Sequence, residues 1–141
     1  MKRIFLLFWA VLFLAGCATT VRYVNYTDQK FPPKQKYYYI TVYESQPPSS
    51  IQPFQILGRV EVSGLVNNGV TPDTLIDQAR HVARVKGADA IINARTEATI
   101  YKMIDEAPGY FGRRHYHPGG YIIYCERLLT FRGELIVFVP K

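Results

Sequence analysis

The chain predicts an α+β domain: a small antiparallel sheet in β-β-α-β-β order with one helix packed on one face, placed after a signal peptide and a flexible tether. Three observations carry this. One stretch alone, around residues 72–86, repeats its apolar residues at helical spacing. Four other stretches alternate apolar with polar residues or concentrate β-branched and aromatic ones. Their order along the chain leaves a single helix to cover a single sheet face.

Residues 37–43, YYYITVY, predict the first strand, and Pro47 and Pro48 end it because proline cannot donate to a ladder. Residues 55–64, QILGRVEVSG, set Ile56, Val60 and Val62 on one side and Arg59, Glu61 and Ser63 on the other, so one face is buried and one is wet. Asn67-Asn68-Gly69 supplies a turn. At the helix, Thr71 caps, Pro72 suits the first helical position and Asp73 suits the positive end. Leu75, Ile76, Ala79, Val82 and Ala83 form its apolar stripe, and Gly87 ends it after Lys86. Residues 87–101 follow as a long strand with Ala90, Ile92, Ala94, Ala98 and Ile100 on one face, which sets Ile92 beneath Leu75, Ala79 and Val82. Residues 102–120 are irregular and rich in glycine and proline. Residues 121–139 return as strand, with Arg132-Gly133 read as a bulge in one bent strand rather than a turn between two.

The N-terminus has a different character. Lys2 and Arg3 precede the apolar run IFLLFWAVLF, which is shorter than the ~20 residues that cross a bilayer. The small residues Ala15 and Gly16 then lead into Cys17, and LAGC resembles the lipobox of bacterial lipoproteins. That resemblance implies cleavage before Cys17 and lipid on its thiol, giving three parts: residues 1–16 as signal peptide, 17–36 as lipidated N-terminus and tether, and 37–141 as one domain. Two or three acyl chains at ~0.8 kcal/mol per methylene hold a protein on a membrane that it does not span. Extended, residues 18–36 would reach up to ~60 Å from the lipid surface. Ala18 stands where an Asp is the familiar inner-membrane retention residue, so the expectation is an outer-membrane, periplasm-facing lipoprotein.

Loss of Lys2 and Arg3 lowers the formal charge from +6 to +4, a mild basic excess suited to anionic headgroups, cell-wall polymers or an envelope protein. Nucleic acid is excluded by export and by the absence of a recognition motif. With Cys17 lipidated, Cys125 is alone and no internal disulfide forms.

The stretch LIDQARHVARVKGADAIINARTE at 75–97, with FRGELIVF at 131–138, resembles small bacterial lipoproteins whose KFPP-type tether precedes a domain with GADAI after its helix. That domain is similar to the YbjQ-type heavy-metal-binding domain and to RcsF-type stress-sensing lipoproteins. The resemblance implies the helix-on-sheet fold and a periplasm-facing anchor. RcsF-type domains resemble disulfide-bonded ones and this chain lacks the cysteines, so a sensor role is not implied. YbjQ-type domains form rings without an anchor, so oligomerisation is not implied either.

Candidate chemistry is sparse. His115 and His117, two apart in GRRHYHPGG, face one side of an extended segment and are the nearest approach to a metal pair, with Cys125 or Glu126 as further ligands. Metal binding or metal sensing is therefore the alternative function. His81 reads as an exposed helix residue, Cys125 as a small core residue, and Asp105-Glu106 as a solvated tip. No nucleophile, zinc or phosphate-loop motif is present, and the chain is expected to be neither an enzyme nor a cofactor carrier. Tyr110, Phe111, Arg113, Arg114 and Tyr116 combine the residue types enriched at interface hot spots. They make the 101–121 segment the expected interaction surface of a non-catalytic envelope module.

Overall fold

A computed structural model describes residues 19–47, 52–106 and 122–139. Five strands, β1 (Thr19–Asn25), β2 (Thr41–Val42), β3 (Phe54–Leu65), β4 (Ala90–Glu106) and β5 (Ile122–Phe138), form one sheet with one α-helix, α1 (Pro72–Val85), packed against it. The sheet order is β1-β3-β5-β4-β2. The α+β class with one helix over one face holds, and four details depart from the sequence reading.

First, the tether is largely structure. Residues 19–25, TTVRYVN, pair antiparallel with β3 from Thr19 opposite Gly64 to Asn25 opposite Gly58. Threonines and valines around Tyr23 suit a half-buried edge, and Tyr23 packs against the core across a position where Gly58 has no side chain to obstruct the ring. The chain beyond remains docked: Phe31 packs on the core, and the Lys34 N–H donates to the Arg84 carbonyl at 2.8 Å.

Second, residues 37–43 contribute only the two-residue β2, and it runs parallel to β4, so the sheet is mixed rather than wholly antiparallel. Tyr37 and Tyr39 are 90% and 71% exposed, and rings left in water add nothing to a strand.

Third, Ile92 is not beneath the helix. Asn93 adopts φ 51°, a left-handed conformation that Asn tolerates, and two residues of β4 oppose Gly133 between the pairs Ile92–Glu134 and Arg95–Arg132. This bulge resets the alternation. Ile91 and Ala94 join Val60, Val62, Leu75, Ala79, Ala83, Phe131 and Leu135 in the core under α1, while Ala90, Ile92 and Ile136 form a second cluster with Tyr43, Phe54 and Phe138. The extra residue is therefore on β4 rather than at Arg132-Gly133. β5 does run unbroken, and Gly133 is needed because a Cβ there would collide with the Ile91 side chain.

Fourth, β4 and β5 stay paired well past the end of β3. The last β3 partner is Leu65 opposite Leu128, whereas β4 and β5 remain in register to Glu106 opposite Ile122. A two-stranded ribbon thus projects from one end of the sheet.

The helix forms as predicted. Thr71 Oγ1 accepts from the Thr74 N–H at 3.3 Å, Pro72 opens the first turn, and Leu75, Ala79 and Ala83 are buried. Gly87, at φ 78°, carries the chain out of the helix end.

Candidate functional site

The sequence-predicted residues Cys17, Tyr110, Phe111, Arg113, Arg114, Tyr116, His115 and His117 lie outside the described residues. Among the described residues no group of three His, Cys, Asp or Glu side chains is placed to hold a metal ion. His81 is exposed on α1, as read from the sequence.

What the fold does assemble lies at the end of the domain opposite the ribbon. There the C-terminal half of α1, the start of β3, the end of β1 and residues 26–40 converge. A cavity of about 310 Å³ opens between them. Its apolar lining comes from Tyr23, Phe31, Leu57 and Val85, and its polar groups from Asn25, Gln29, Lys30 and Lys86. The Lys86 ammonium sits 4.7 Å from the Tyr23 ring centre, and burial raises the Tyr23 phenol above its ordinary pKa, so the ring stays neutral beneath the cation.

Three consecutive tyrosines, Tyr37 to Tyr39, each have a cation near the ring. Lys36 lies 5.9 Å from the Tyr37 ring centre, Lys34 5.2 Å from Tyr38, and the Arg80 guanidinium 5.3 Å from Tyr39. Arg80 is held in place by the Ile40 carbonyl at 3.2 Å and Asp77 at 3.2 Å. Lys34 is held by Asp89, whose Oδ1 accepts from its ammonium at 2.6 Å and from the Tyr38 hydroxyl at 3.1 Å, while Oδ2 accepts from the Phe138 N–H at 2.8 Å. Burial pushes the Asp89 carboxyl up, but Lys34, the Phe138 N–H and Tyr38 together outweigh it and hold the group below the usual carboxylate range. Tyr38 is raised by burial and by the Asp89 charge.

Among the described residues, Lys30, Lys36 and Lys86 have no carboxylate within ion-pair distance. Their charge is available to an anionic ligand, and the rings and cavity floor offer it apolar contact. Sequence reasoning missed this site by assigning 18–36 to a tether. The legible signals were the β-branched run TTVRYV and the basic-aromatic run KQKYYY.

On the sheet face away from the helix, Arg132 bridges Glu61 at 2.7 Å and Glu97 at 3.1 Å, a ladder that joins β3, β5 and β4. It ties the three strands together.

An N-terminal lipid attachment signal in front of an α+β domain defines a membrane-anchored bacterial lipoprotein. Residues 1–18 match the family model of the prokaryotic membrane lipoprotein lipid attachment site, and Cys17 is the cysteine within them. No curated protein sequence matches the chain. Among solved structures the chain is similar to the crystal structure of FvfA, a Francisella virulence factor, in its orthorhombic form. That likeness has 19% identity and a TM-score of 0.49, and covers 83% of this chain and 96% of that one.

Proposed function

We propose that this lipoprotein is a non-catalytic envelope module that holds a basic-aromatic surface in the periplasm, on the outer membrane, for an anionic partner. The observation that carries the reading is the cavity rimmed by Lys30 and Lys86, with the apolar groups of Tyr23, Phe31, Leu57 and Val85 in its lining. Ammonium groups without carboxylate partners attract anions, and flat rings give contact area to a sugar or apolar face at low entropic cost. The resemblance to YbjQ-type and RcsF-type domains fits a helix-on-sheet envelope module and adds no site residue.

The test is a cross-linked pull-down from envelopes. Lys30→Glu with Lys86→Glu should remove the captured partner while lipid labelling stays as in the wild type and the melting temperature falls only by the small cost of the lost Lys86–Tyr23 contact. An unchanged partner profile overturns the reading. Replacing Phe111 to His117 with a Gly-Ser linker is the comparison arm, and partner loss there alone would move the surface to that segment. Zinc and copper titrated into the purified lipoprotein by calorimetry should give no saturable heat; a stoichiometric site would favour the metal-binding alternative.

A further inference from the structure

The anchor and the β4–β5 ribbon leave the sheet at the same end, and from this we infer that the ribbon is a second membrane contact that lies along the bilayer surface. The inference rests on lipid attachment at Cys17 and is independent of any ligand at the opposite pole.

β1 is antiparallel to β3, β3 to β5 and β5 to β4. Followed backwards from Asn25 to Thr19, β1 therefore points the same way as β4 running out towards Glu106. Only Ala18 separates Cys17 from Thr19, so the lipid-bearing Cα lies within ~7 Å of the start of β1. Thr19 is level with Gly64, Leu129 and Ala98 across the sheet. Beyond that level β4 continues from Ile100 to Glu106, which at ~3.3 Å per residue is ~23 Å of ribbon.

A lipid anchor holds Cys17 at the headgroups, so a ribbon reaching three times farther in the same direction meets the bilayer. The inverted pose fails on length. It would place β1 and the opposite pole between Cys17 and the membrane, lifting the cysteine by ~20 Å against a link of ~7 Å. The chain of the ribbon suits an interface. Ile100 is 61% exposed and its register partner Arg127 is exposed as a cation for headgroups, while Lys102, Ile104, Ile122 and Ile123 fall at register positions farther along the ribbon. In sequence, Lys102, Asp105 and Glu106 interrupt the apolar residues of the ribbon, and ionisable residues oppose insertion across the bilayer, so the ribbon rests in the interface.

The consequence is an orientation. The ribbon end faces lipid, and the pole carrying Tyr37, Tyr39, Lys30 and Lys86 faces away from it.

The experiment uses the full lipidated chain in vesicles of phosphatidylethanolamine and phosphatidylglycerol doped with nitroxide-headgroup lipid. A Cys125→Ser background receives a single fluorophore at Ile100→Cys, at Lys102→Cys or at Lys36→Cys. Loss of most emission at positions 100 and 102, with position 36 unaffected, is the expected result. Should one ribbon variant fail to fold, the other carries the measurement. Unquenched ribbon labels, or equal quenching at position 36, would overturn the inference. A parallel set in vesicles of phosphatidylethanolamine and phosphatidylcholine, whose headgroups carry no net charge, keeps the outcome independent of the proposed anionic partner.

Discussion

Asp89→Asn removes one charge from the junction that ties residues 34–38 to the end of β5. The carboxylate accepts three donors, from Lys34, Tyr38 and the Phe138 backbone, and its side chain is 11% exposed. An asparagine oxygen can serve part of this set, while its NH₂ group turns a donor towards other donors. Hydrogen bonds to a charged group contribute ~1.5–3 kcal/mol, and a partly exposed ion pair adds up to ~1 kcal/mol. Lys34 is 26% exposed, which keeps the ion-pair part small and sets the expected loss near 2–3 kcal/mol. For a domain of this size that is a fall in Tm of about 6–15 °C at neutral pH. The pH profile separates charge from shape. A carboxyl held below its unfolded value of ~3.9 contributes stability above that pH and loses it as pH falls through the folded value. Thermal melts by circular dichroism should therefore show wild type and Asp89→Asn far apart at about pH 6 and converging below about pH 4. A difference that persists unchanged into acid would refute the reasoning, since it would belong to packing rather than to the charge.

Ile91→Ala should cost ~2–5 kcal/mol as a truncation in the core under α1, and α1 amides should lose hydrogen-exchange protection more than in Ile92→Ala, whose cavity opens on the other face; equal loss in both would return Ile92 to the helix side. Gly87→Ala should destabilise by more than the ~1–2 kcal/mol of a left-handed alanine, because its Cβ would meet the Pro32 carbonyl oxygen at 2.6 Å. A melting change no larger than the backbone cost would mean that residues 31–32 are not seated on the helix end. Cys17→Ser should abolish incorporation of labelled fatty acid and release the protein from membrane fractions, and wild type without label would refute the anchoring.

Much of this protein is written in local chemistry. Lys2, Arg3, the apolar run and LAGC declare an anchor because an export signal is read as a linear string. Helix α1 is equally local: Thr71, Pro72 and the stripe through Leu75, Ala79 and Ala83 act within a few turns of one another. The α+β class follows from counting such elements. What needed the tertiary structure is every feature set by a partner distant in sequence. Residues 19–25 are a strand because β3 presents them a ladder, and the β-branched bias of TTVRYVN hints at a strand without naming the partner it pairs with. Ile91 rather than Ile92 meets the helix because Asn93 takes a left-handed turn opposite Gly133, and a one-residue slip exchanges faces in any strand. The cavity between Lys30 and Lys86 exists only once the chain before β2 folds back onto the end of α1, a closure made by Phe31, Lys34 and Asp89 over separations that no sequence window spans.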